Sequence, residues 1–119
     1  MTTGQEAPRL RLRIDLAPGA AIGPGKVRLM ELIREEGSIA AAGRRMGMSY
    51  RRAWRLVDAL NGTFNGPLVE AQPGGSGGGG AVLTPLGLAV IERYRTIEAL
   101  ATKASASALS ELSRDVRRA

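Results

Sequence analysis

The sequence contains no cysteine and no histidine. Without cysteine there is no disulfide framework, no thiolate nucleophile and no zinc–thiolate site. Without histidine the commonest general base and the commonest transition-metal ligand are both missing, so a serine–histidine hydrolase triad cannot be built. Aromatic residues are scarce, with Tyr50, Trp54, Phe64 and Tyr94 accounting for all of them. Lysine is nearly absent, and no run of about twenty strongly apolar residues offers a membrane span. Met1 to Leu16 shows no basic segment followed by an apolar one, so no signal peptide is expected. The lack of cysteine fits a reducing compartment, and the cytoplasm is the expected location. No pair of carboxylates is tied to a recognisable pocket, and the reading is of a protein that is not an enzyme and carries no cofactor.

Arginine and glycine are what the chain has in excess. A length of 119 residues implies one domain, and 17 basic residues against 11 acidic give +6. Fifteen of the basic residues are arginine. This balance favours a polyanionic partner, either nucleic acid or an acidic membrane surface.

Residues 1–8 read as a disordered leader. Arg9 to Leu16 alternates polar and apolar, the period of a half-buried strand, until Pro18-Gly19 and Gly23-Pro24-Gly25 break it into a loop. From Lys26 to Glu36 the period becomes helical: Val27, Leu29, Met30, Leu32 and Ile33 share one arc, and Gly37 suits the C′ position. Glu31, Glu35 and Glu36 read as surface charges. Ser38 caps a short second helix from Ile39 to Met46, and Gly47 closes it. Ser49 caps a third helix from Tyr50 to about Asn61, ended by Gly62. Leu68–Gln72 and Ala81–Thr84 read as two strands around a tip holding 6 of the 16 glycines. Thr84-Pro85 starts a long helix, with Leu86, Val90, Tyr94, Ile97, Ala101, Ala104, Ala108 and Leu112 forming one stripe that weakens after Ala101.

Two short helices meeting across Met46-Gly47-Met48 have the sequence form of a helix-turn-helix, and the hairpin after them would be a wing. The fold class expected is mostly α with a small β-hairpin: a winged helix-turn-helix with an N-terminal strand and a long C-terminal helix. Residues 9–101 would form the domain and 102–119 the end of the last helix or a frayed tail. Arg51 and Arg55, four apart, project from one face of the third helix, with Arg52 on the same side. Arginine there can pair in bidentate fashion with guanine O6 and N7. Ser38 and Ser49 stand at helix N-termini, placed for phosphate contact, and the Tyr50 hydroxyl is within reach of one. Trp54 reads as core, and Asp58 as a partner of Arg51, Arg55 or Asn61. Gly75, Ser76 and Gly77 would bring backbone N–H groups of the wing to the DNA. The glycine run lacks the Gly-Lys-Ser/Thr ending of a nucleotide P-loop, which disfavours ATP or GTP. Leu86, Val90, Tyr94 and Ile97 are the expected dimerisation residues.

Gly25-Lys26-Val27-Arg28-Leu29-Met30, Glu36-Gly37-Ser38-Ile39, Met48-Ser49-Tyr50 with Ala53-Trp54, Leu68-Val69-Glu70, and the run from Gly74 to Thr84 with Gly87 together resemble the DNA-binding domain of the molybdate-dependent, ModE-type transcriptional regulators. A more distant resemblance is to the LysR-type winged helices. The resemblance covers about Leu10 to Ala101. It implies a homodimer that binds double-stranded DNA at a palindromic operator, with Ser49 to Asn61 as the reading helix. Arg51 matches a position where relatives tend to be basic, and Ser76 stands where some have lysine. The full-length regulators continue into a molybdate-binding module that this sequence does not contain, so molybdate is not expected to bind this chain directly. The chain is either a natural stand-alone form or a truncated one, and Met1 favours the first. Two other functions fit the residues: a winged-helix adaptor for protein partners, or a partner of a full-length regulator, with little DNA affinity of its own; and an oxyanion sensor using the glycine loop.

Overall fold

The computed structural model describes residues 7–75 and 78–118. Most of the expected leader, residues 1–6, lies outside them. The chain begins with an antiparallel hairpin of β1 (Ile14–Ala17) and β2 (Ala20–Ile22), followed by α1 (Pro24–Glu36), α2 (Ile39–Arg45) and α3 (Tyr50–Asn61). A second antiparallel hairpin, β3 (Val69–Gly75) and β4 (Gly78–Leu83), leads into α4 (Pro85–Arg114). This is a mostly helical winged helix-turn-helix, as the patterning indicates.

Helix boundaries follow local chemistry. Pro24 occupies the first turn of α1, where its missing N–H is not needed, and Gly37 ends the helix with φ 70°. The Ser38, Ser49 and Thr84 hydroxyl oxygens accept from the N–H groups of Ala41, Arg52 and Gly87, capping α2, α3 and α4. Gly47 makes the α2–α3 turn at φ 69°, a conformation that L side chains rarely adopt. Gly62, by contrast, ends α3 at φ −90°, without the left-handed turn its identity suggests.

The first strand is shorter than the alternation of Arg9 to Leu16 predicts. Its partner β2 has only three residues before α1 begins, so the backbone of 9–13 has nothing to pair with. The alternation survives as burial: Leu10, Leu12 and Ile14 are half-buried, and Arg9, Arg11 and Arg13 are exposed. Tyr94 holds this unpaired segment, its hydroxyl donating to the Leu12 carbonyl at 2.6 Å. Burial raises the Tyr94 pKa, which keeps the phenol in the donating form. The last helix continues unbroken through Thr102 to Arg114.

The core is built by α1, whose Val27, Leu29, Met30, Leu32 and Ile33 are all buried. Ala53, Val57 and Leu60 of α3, Leu68, Val69 and Ala81 of the wing, and Val90, Ile91 and Tyr94 of α4 complete it. Three polar groups converge on the chain just before the wing. The Asn61 carboxamide accepts from the Leu68 and Val69 N–H groups at 2.8 and 3.1 Å and donates to the Val69 carbonyl at 2.9 Å. Thr84 donates its hydroxyl to the Pro67 carbonyl at 2.7 Å and its N–H to the Leu68 carbonyl at 3.0 Å. Gly87 lies so close to the Leu68 carbonyl that a Cβ there would collide with it.

Between α1 and α4, Arg95 grips Glu31 through two hydrogen bonds of 3.0 and 2.8 Å and Glu98 through one of 2.8 Å. Glu31 is thus a structural partner and not the solvated charge its place on the helix predicts. The Arg95 hydrogen bonds hold its carboxyl below the ordinary 4.5, against the opposing effect of its partial burial.

Two outcomes follow for stability. Asn61→Ala strands the Leu68 and Val69 N–H groups and should lower unfolding free energy by about 2–3 kcal/mol, measured by urea denaturation. An unchanged midpoint would remove Asn61 from this role. For Glu31, a lowered folded pKa means that its contribution is complete above 4.5 and is lost as pH falls through the lowered value. Glu31→Gln should therefore reduce stability by about 1 kcal/mol at pH 7, with the gap to the native chain closing in acid. A gap that is the same at pH 7 and pH 3 would contradict this.

Candidate nucleic-acid interface

The α3 helix presents three sides, set by its period of 3.6 residues. Ala53, Val57 and Leu60 face the core. Arg51 and Arg55 are exposed on the opposite side, and no described residue forms an ion pair with either. Asp58, expected to pair with one of them, makes no such pair. Its backbone carbonyl accepts from the Gly62 N–H at 3.1 Å instead.

The two flanks of α3 differ. On one, Tyr50 is exposed and stands edge-on to the half-buried Trp54, with ring centroids 6.3 Å apart. Both rings line a groove of about 330 Å³ with Ser38 of the α2 cap and Gln72, Gly79 and Gly80 of the wing. Trp54 therefore packs at the edge of the core, not within it. On the other flank Arg52 lines a groove with Arg11 and Arg13 of the N-terminal segment, and neither Arg51 nor Arg55 is among that lining. All three arginines of the helical-wheel face are exposed, and Arg52 alone of them borders the N-terminal segment.

The wing is fastened beside the first flank. The Ala81 N–H donates to the Gly37 carbonyl at 2.9 Å, tying β4 to the junction of α1 and α2. Both strands run further into the glycine run than the apolar residues alone predict, with Gln72 opposite Gly80 and Gly75 opposite Gly78. Of the expected wing contacts, Gly75 ends β3, whereas Ser76 and Gly77 lie outside the described residues. Ser38 and Ser49 are committed to their helices as acceptors, which leaves each hydroxyl hydrogen to donate elsewhere.

Not all local positive charge is available. Arg45 is held by Glu35 at 3.0 Å and Glu36 at 3.1 Å, across from the C-terminal end of α1. The expected dimerisation residues Leu86, Val90, Tyr94 and Ile97 do come together, along one apolar groove of about 320 Å³ that also includes Leu16 and Phe64. Val90 and Tyr94 are buried in the domain's own core, while Ile97 is 45% exposed. Beyond Tyr94 no residue of α4 is buried, and Leu100 and Leu112 are more exposed than Ile97. Leu100 lies off the stripe from Leu86 to Leu112, so the spacing did not single it out. No described helix is long and apolar enough to cross a membrane.

The sequence pattern of the bacterial regulatory helix-turn-helix proteins of the lysR family matches residues 25–88, from the start of α1 into the first turn of α4. The molybdenum-pterin-binding protein MopB of Rhodobacter capsulatus is 45% identical over 97 residues, covering 82% of this chain and 36% of that protein. The DNA-binding transcriptional dual regulator ModE of Escherichia coli is 37% identical over 81 residues, covering 68% of this chain and 31% of that one. The chain spans about a third of the length of these curated relatives. Among solved structures, the DNA-binding domain of CbnR in complex with DNA superposes with a TM-score of 0.57 at 25% identity, covering 74% of this chain and 95% of that one.

Proposed function

This chain belongs to the lysR family of bacterial regulatory helix-turn-helix proteins, and on that premise we propose that it is a sequence-specific, DNA-binding transcriptional regulator linked to molybdenum, acting as a homodimer on a palindromic operator. The observation that carries the reading is the outward pair Arg51 and Arg55, unpaired among the described residues and aligned opposite the buried face of α3. A recognition helix enters the major groove by its N-terminal part, which is where this pair stands. Each guanidinium can donate two parallel hydrogen bonds to guanine O6 and N7. The Ser38 and Ser49 hydroxyls, the Tyr50 hydroxyl and the backbone of Gly75, Ser76 and Gly77 take the phosphate-positioning role. Arg52, exposed on the same helix and lining the groove with Arg11 and Arg13, joins Arg51 and Arg55 at the major groove and is also placed for a phosphate. Such a regulator works in the cytoplasm, where the bacterial chromosome lies.

The dimer reading is supported by α4. Thirty residues rising about 1.5 Å each reach about 45 Å, most of the molecule's 54 Å longest extent. Its outer half has little of its own chain to pack against. Ile97 and Leu100, with Leu86 at the groove, offer the apolar surface that a second copy would cover. A two-fold dimer would set the two copies of α3 about 34 Å apart, one turn of DNA.

Selection of bound duplexes from a random pool, followed by gel shift, tests the first part. Arg51→Ala should weaken binding to the selected site roughly ten- to hundredfold and relax preference at one base pair, the equivalent of about 1–3 kcal/mol. Unchanged affinity and preference would defeat the assignment. For the second part, sedimentation should show a dimer for the native chain and a monomer for the double variant Ile97→Glu with Leu100→Glu. A native chain that sediments as a monomer, with or without operator DNA, would exclude the symmetric reading.

A further inference from the structure

We propose that the arginine-bearing segment before β1 is a second DNA-backbone contact, an arm that grips phosphate on the side of α3 opposite the wing. The proposal rests on the reading of α3 as the DNA-facing helix and extends its footprint. A groove of about 840 Å³ lies between this segment, the start of α1 and the N-terminus of α3. Arg11, Arg13, Lys26 and Arg52 all line it, with Ser49 at the α3 end, and no acidic residue is among its lining. Four cations drawn from three parts of the chain thus share a groove whose lining has no carboxylate, an arrangement that favours entry of a polyanion.

The placement is built, not incidental. Leu10, Leu12 and Ile14 point inward, which turns Arg9, Arg11 and Arg13 outward. Tyr94 fixes the Leu12 carbonyl, and the arm passes close enough to Gly23 that a Cβ there would come within 3.8 Å of the Arg13 backbone, so the arm lies against the N-terminus of α1. Lys26 donates to the Ala21 carbonyl at 3.3 Å, a bond that uses one of its three donors. Arg13 meets Asp15 at 3.2 Å, but both side chains are about three-quarters exposed and the pair is too solvated to hold the guanidinium. Because Arg52 lines the same groove and stands one position from Arg51, a duplex seated on α3 carries a phosphate strand along this flank. A phosphate backbone is the ligand this chemistry fits: cations in a row, spaced along an extended segment, with a serine hydroxyl at the end.

The test is the salt dependence of binding to the selected duplex and to an unrelated duplex of equal length. For the native chain, log K should fall linearly with log salt. The double variant Arg11→Gln with Arg13→Gln should reduce that slope by about two, lower affinity about tenfold or more on both duplexes alike, and leave base preference intact. Arg11→Lys with Arg13→Lys keeps the charges and should retain the native slope. Melting temperature, read in parallel, should be the same for all three proteins, since both side chains are exposed. If the native chain binds neither duplex, the regulator reading itself falls and the arm with it. If it binds with the expected slope and the glutamine variant matches it, only the arm contact is overturned. Loss of slope in the lysine variant would also overturn it, as would binding to phosphatidylglycerol vesicles that needs the two arginines while the DNA slope does not.

Discussion

The recognition helix, the wing and the long helix are positioned relative to one another through a few backbone atoms between Pro67 and Val69. Asn61, the last residue of α3, satisfies the N–H groups of Leu68 and Val69 and the Val69 carbonyl with one side chain. Thr84 takes the Pro67 and Leu68 carbonyls while capping α4, and the Gly87 backbone presses on the Leu68 carbonyl from the first turn of that helix. Leu68 itself is fully buried. The end of the recognition helix, the root of the wing and the start of the long helix are therefore one joint. A displacement of any of them opens buried backbone groups in the others, and unsatisfied groups of this kind cost about 1–3 kcal/mol each. The joint converts three locally marginal elements into a rigid frame. A two-stranded hairpin alone is not stable in water, and this wing is anchored at its root here and at Ala81 by Gly37.

Rigidity at the joint gives the flanks of α3 distinct surroundings. The wing and the Tyr50–Trp54 edge occupy one side, and the N-terminal segment with Arg52 the other. The outward face between them is left to Arg51 and Arg55. A helix with two different walls can meet a groove in one orientation only, since turning it end for end would set the glycine-rich wing where the cations of the other flank belong.

How much of this is legible in the sequence depends on whether the cause is local. The caps Ser38, Ser49 and Thr84, the C′ residue Gly37 and the helix-turn-helix itself are local chemistry, and residues two to four apart are enough to read them. Asn61 reads only as a helix end, because its partners Leu68 and Val69 come from a loop whose path is a tertiary outcome. The β2 strand is three residues with no pattern, visible only once Ile14 has something to pair with. The α4 stripe is real, but periodicity states that a face is covered and not by what. Val90 and Tyr94 are buried in this chain's own core, whereas Ile97, on the same stripe, is left 45% exposed at the rim of the groove. Likewise the wheel groups Arg51, Arg52 and Arg55 because it has no knowledge of what flanks the helix.

Net charge shows the same limit. A balance of +6 describes the whole chain, and a helix-turn-helix rich in arginine suggests that its own residues hold most of the surplus. The structure redistributes it. Glu35 and Glu36 at the end of α1 reach across to Arg45, and Glu31 with Glu98 occupies Arg95. These acids draw arginines into the scaffold on the α1 and α4 side, where they join helices. Arg51, Arg52 and Arg55 are spared, and so are Arg9 and Arg11, since no described carboxylate pairs with any of them. A polyanion at α3 and the arm before β1 would therefore meet guanidinium groups that the described carboxylates leave free, and this depends on where the glutamates are spent as well as on how many arginines the chain has.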